Sequence, residues 1–138
     1  MGAQNPTQWE FVTNPQPHQK TTNLSVVSSI IPATVRAQDR AAVAISGEDL
    51  SRVLALLYNA GVRQVEVDIL VDGLKITFTG TIYKRNNRRT GRTHYIIYPL
   101  GSGQKFLREK YRTFKGEIPR NLKRPMPILV MNIRPKTT

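Results

Sequence analysis

From Gln64 to Lys84 apolar and polar residues alternate with a period of two, and the alternation is interrupted once, by Asp72-Gly73. That period puts successive side chains on opposite faces of a strand. Asp-Gly between two such runs is the signature of a two-residue hairpin turn. Taking the turn literally pairs Val71 with Leu74, Ile69 with Ile76, Val67 with Phe78 and Val65 with Gly80, so one face is apolar or glycine throughout. The opposite face carries Glu66, Asp68 and Leu70 on one strand, and Lys75, Thr77, Thr79, Thr81, Tyr83 and Arg85 on the other. A second hairpin is predicted from Ile82 through a polar tip to Tyr95–Leu100. Setting Tyr83 opposite Tyr95 pairs Ile82 with Ile96 and Gly80 with Tyr98, and it places both Tyr83 and Tyr95 on the polar face.

Twice the period lengthens to that of a helix. Leu50, Val53, Leu54 and Leu57 recur at i, i+3, i+4 and i+7, with Ser46 as the expected N-cap, Asp49 as an acid in the first turn and Gly61 as the stop. Phe106, Leu107, Tyr111 and Phe114 form the apolar face of a second helix, expected to be capped by Ser102 and ended by Gly116 and Pro119. Upstream, residues 24–31 and 33–45 are β-branched in character, and Gln38-Asp39 reads as a tight turn between Ala33–Ala37 and Arg40–Ile45. Ile128–Ile133 is apolar on both faces, as in a central strand or one covered by an oligomer partner. The order is β-β-α-β-β-β-α-β. It predicts an α+β fold: an antiparallel sheet of about five to six strands, two helices on one face and a long basic β-hairpin.

Residues 1–23 are rich in Gln, Asn, Pro and Thr and read as a flexible N-terminal arm, leaving 24–138 as a single domain. Trp9 and Phe11 are unusual in a solvating tail and are expected to dock the arm onto a neighbouring subunit of a homo-oligomer. The chain has no cysteine, which excludes disulfides and thiolate chemistry. Neither a secretory signal nor an apolar run long enough for a bilayer is visible, so no membrane partner is expected. The chain reads as soluble and intracellular, in cytoplasm or nucleoid, or as part of a virus particle.

Charge changes the picture most. The net charge is +12, yet residues 84–138 hold fifteen Lys/Arg against two acids, while residues 46–83 hold three bases against five acids. The densest run is the predicted hairpin tip, where Lys84, Arg85, Arg88, Arg89 and Arg92 fall within nine residues. Charge so segregated repels itself unless a polyanion is near, and clustered Lys/Arg in a basic domain is the electrostatic footprint of nucleic-acid binding. A solvated loop is the plain alternative.

The polar sheet face suits the same partner. Lys75, Lys84 and Arg85 track phosphate, Thr77 and Thr79 donate hydrogen bonds, and Tyr83 and Tyr95 offer bases a stacking surface. Lys105, Arg108 and Arg112 on the second helix add a basic surface beside it. The tip arginines also suit a duplex minor groove. Glu66 and Asp68 share a face, as carboxylates in a metal site do, but cross-strand ion pairs are the expected role. His18 and His94 form no ligand set, no cofactor motif occurs, and no catalytic constellation is found. The expectation is therefore a non-catalytic, sequence-tolerant nucleic-acid-binding protein, with single-stranded DNA or RNA favoured. The alternatives are a capsid or nucleoprotein subunit, or a ribosome-associated RNA-binding protein.

Overall fold

The Asp72-Gly73 turn forms as its chemistry dictates in the computed structural model, which describes residues 27–38 and 41–136 (backbone only for 27–29). Asp72 and Gly73 have φ of 52° and 75°, the left-handed values of a tight hairpin turn. The flanking strands, β3 (Gln64–Val71) and β4 (Leu74–Asn86), pair in the register the turn requires, from Val71↔Leu74 to Gln64↔Thr81. The remaining strands are β1 (Val27–Ala37), β2 (Val43–Ser46), β5 (Thr93–Pro99) and β6 (Met126–Pro135). Helix α1 (Glu48–Asn59) follows β2, and α2 (Gly101–Gly116) follows β5.

The six antiparallel strands close into a barrel in the order β1-β2-β5-β4-β3-β6. The expected antiparallel sheet is thus closed on itself. With β6 paired to both β1 and β3, no strand edge is left between them, and there is no single flat face for both helices to share. Helix α1 lies against β5 and β1, whereas α2 lies against β4, β1, β2 and β5. Closure also settles the nature of β6, which is a central strand of its own barrel. Its register shifts at Met131: Asp68 pairs with Asn132 while Ile69 pairs with Val130. Such a bulge reverses which parity faces inward. Met126, Ile128 and Val130 are buried before it and Ile133 after it, so the run reads as apolar on both faces.

Residues 24–31 and 33–37 are two strand-like runs divided in sequence by Pro32. From Val27 onward they form one strand that runs through the exposed Pro32. The turn at Asp39 and the arm bearing Trp9, Phe11 and His18 lie outside the described residues. Of α1, Leu50, Val53, Leu54 and Leu57 are all fully buried, each contributing about 1.5–3 kcal/mol by removal from water. Gly61, at φ 96°, ends the helix: Val62 N–H donates to Leu57 O (2.9 Å) and Gly61 N–H to Tyr58 O (3.0 Å). The caps differ from expectation. Ser46 is retained by β2, opposite Thr34, and Gly47 begins α1 without a side-chain cap. Ser102 falls inside α2, whose N-cap is Leu100.

Helix α2 is fastened at two points. The Gln104 side chain accepts from Val43 N–H (2.7 Å) and donates to Val43 O (3.3 Å) and Pro99 O (2.9 Å), completing the seam between β2 and β5. One residue earlier, a Cβ added to the buried Gly103 would lie 2.5 Å from Phe78 Cβ and 2.7 Å from its Cγ. Gly103→Ala is therefore expected to destabilise the fold by about 1–3 kcal/mol through overpacking, despite the better helix propensity of alanine. Gly116→Ala, at the far end of the same helix with nothing within 4 Å, should be neutral or stabilising by about 0.5 kcal/mol. Urea titrations of both variants check the opposite signs.

Candidate functional site

Register decides which tyrosines reach the outside. Strands β4 and β5 pair as Ile82↔Ile97, Tyr83↔Ile96, Lys84↔Tyr95 and Arg85↔His94, one residue away from the expected alignment. A one-residue slip transfers every side chain of β5 to the other face. Tyr95 is therefore a core residue, 8% exposed, with its ring centroid 5.3 Å from that of Tyr58 and its N–H donating to Ser51 Oγ at 2.8 Å. His94 faces outward opposite Arg85. Tyr98 takes the place foreseen for Tyr95. Its ring meets the exposed Tyr83 edge-on at 4.9 Å, and its hydroxyl accepts from the Arg85 guanidinium at 2.6 Å. Sequence reasoning missed Tyr98, although a signal was present in the loop.

That loop is ordered by Asn87. Its side-chain carbonyl accepts from the N–H groups of Arg89 (2.9 Å) and Thr90 (3.3 Å). Its backbone closes the turn by donating to Arg92 O and accepting from Gly91 N–H, both at 2.8 Å, with Gly91 at φ 71°. An asparagine followed four residues later by a left-handed glycine sets the loop length. From that length the pairing Asn86↔Thr93 and the outward position of Tyr98 follow. Arg88, Arg89 and Arg92 are all exposed at this tip, with Lys84 and Arg85 at its base. The tip has two sides. Arg85 and Arg88 line a groove with Arg36 and His94, whereas Arg92 lines one that also holds Glu48 and Arg52 at the start of α1.

The other end of the β4 outer row has different chemistry. Thr77 donates to Asp68 at 2.6 Å, and Lys136 donates to Thr79 at 3.4 Å. The Arg134 guanidinium bridges Glu66 (3.0 Å) and Asp68 (3.2 Å), so the paired carboxylates are held by a cation of β6. Burial works against the Asp68 charge, yet the hydrogen bonds from Thr77 and Arg134, with the charges of Arg134 and Lys75, outweigh it and hold the carboxyl below its ordinary range. The hydrogen bond to Asp68 in turn raises the Arg134 pKa. Among the described residues no three His, Asp or Glu side chains gather into a metal-binding group. Lys75 is exposed beside these acids, distant along β4 from Tyr83 and Arg85.

On α2, Arg108 and Arg112 line a groove with Tyr111 and Lys115, and Arg108 also donates to Ala41 O at 2.9 Å. Lys105 is exposed on the same helix but lies outside that groove, and Lys110 turns away to pair with Asp72 at 3.6 Å. Comparison of the chain with protein-family models, curated proteins and solved structures gives no match. Geometry and charge must carry the functional reading. Among the described residues, no helix is long and apolar enough to cross a membrane.

Proposed function

We propose that this protein binds nucleic acid without catalysing a reaction on it, and that it favours single strands and tolerates many sequences. The observation that carries the reading is the Tyr83–Tyr98 edge pair, with Arg85 hydrogen-bonded to it, on the outer barrel surface at the base of a tip bearing Arg88 and Arg89. Unpaired bases stack on exposed aromatic rings regardless of sequence, and neighbouring guanidinium groups neutralise the phosphates between them. Tyr83 is 46% exposed, which leaves area for a base. Asn87 fixes the backbone of the tip that carries the arginines, which lowers the entropy lost when a strand binds. The interface is shorter than the full β4 row, because Thr77 and Lys75 belong to the Asp68 neighbourhood.

The test is a fluorescence titration with single- and double-stranded DNA and RNA of equal length across a range of salt. Replacing Arg88 and Arg89 by Ala should flatten the plot of log K against log salt by about 1.4 units on single strands, roughly 0.7 per phosphate contact. Arg92→Ala should have a smaller effect, since Glu48 shares its groove. A plot unchanged in slope and position on removing Arg88 and Arg89 would rule the tip out as a binding element.

A further inference from the structure

We infer that the binding surface continues past the tyrosines, through Arg36, into a cationic trough between α2 and the β1–β2 end of the barrel, where it holds the backbone of the same single strand. The inference rests on the proposed function and names the path of the ligand.

Three grooves share lining residues and so lie side by side. The first, about 450 Å³, holds Arg85 and Arg88 at the tip side and Arg36 on β1. Arg36 also lines the second, about 200 Å³, with Lys115, Lys123 and Arg124 around Tyr111. Tyr111 and Lys115 pass into the third, about 510 Å³, which adds Arg108 and Arg112. No carboxylate is among the described residues lining any of the three. The acids that form ion pairs do so elsewhere: Asp49 with Arg52, Asp72 with Lys110, and Glu66 and Asp68 with Arg134. None of the trough cations forms an ion pair with a described residue. A line of like charges without counter-charge destabilises the folded state, and a bound polyanion removes that cost.

The trough also repeats the chemistry of the tip. Tyr111 is half-buried along it with Lys115 Nζ 5.8 Å from its ring centroid, as Arg85 accompanies Tyr98 at the other end. Two aromatic stations joined by cations match a single strand, whose bases can turn to a ring while its phosphates follow the groove. A duplex keeps its bases stacked inside.

The experiment measures affinity for oligothymidylates of about 5 and about 20 nucleotides, one near the lower end of the usual span of a small single-strand site and one beyond its upper end. It uses the full chain and a variant carrying Arg112→Gln, Lys115→Gln and Arg124→Gln, with thermal unfolding to verify folding. The ratio of long to short affinity should fall by up to about a hundredfold at about 0.1 M salt, and the salt slope for the long strand by about two units. Tyr83→Ala should instead weaken both lengths and leave the ratio in place. An unaltered ratio in the triple variant, with Tyr83→Ala still weakening both lengths, overturns the trough and leaves the proposed function standing. If neither length binds the unsubstituted protein, both fall.

Discussion

Tyr95→Ala is expected to cost about 3–5 kcal/mol of folding stability while leaving single-strand affinity per folded molecule intact. Tyr83→Ala and Tyr98→Ala should do the reverse, each lowering affinity by about 1–3 kcal/mol. The contrast follows from the β4–β5 register. Tyr95 points inward against Tyr58 and is nearly enclosed, so truncation leaves a cavity that the barrel cannot collapse to fill. Tyr83 lies on the surface and its loss creates no cavity. Phenylalanine separates the two outer positions. Tyr83→Phe should retain most of the affinity, because stacking uses the ring face. Tyr98→Phe should lose part of it, because the hydroxyl accepts from Arg85 and holds that guanidinium in place. Chemical denaturation and fluorescence titration on the same preparations check both quantities. An affinity loss in Tyr95→Ala equal to that in Tyr83→Ala would contradict the assignment.

Arg134→Met should destabilise the protein by about 2–3 kcal/mol at neutral pH, since it strips Asp68 and Glu66 of their shared partner. Asp68 is nearly buried and would keep only the Thr77 hydroxyl as a hydrogen-bond partner, with the charge of Lys75 nearby. Its carboxyl is held below the ordinary aspartate range in the folded state. The stabilisation is therefore present above the unfolded aspartate pKa and is lost as pH falls through the lower folded value. The gap between Arg134→Met and the unsubstituted protein should be constant from neutral pH down to about pH 5 and close below about pH 4. Asp68→Leu combined with Arg134→Met should recover much of the loss, because no unpaired charge remains at Asp68. Urea midpoints at several pH values test this, and a gap that widens on acidification would refute it.

Local chemistry was sufficient where one short signal dictates one geometry. Asp72-Gly73 determined the β3–β4 register residue by residue, since few two-residue turns match the twist of paired strands. The stripe from Leu50 to Leu57 with Gly61 determined α1 and its end, and the clustering of Lys and Arg after residue 83 marked the basic part of the chain. Two matters, barrel closure and the trough, were decided only by tertiary structure, and a third was local but missed. The β4–β5 register depends on how Asn87 folds the tip, and one residue of error there exchanged Tyr95 for Tyr98. Barrel closure depends on β6 pairing with both β1 and β3, contacts between distant parts of the chain that no local period encodes, and the Met131 bulge hid the strand's inward face. The trough joins Arg36 to Lys115, Lys123 and Arg124, residues scattered among a strand, a helix and a linker. Their charges were legible one at a time, but a shared electrostatic field exists only once folding has brought them together.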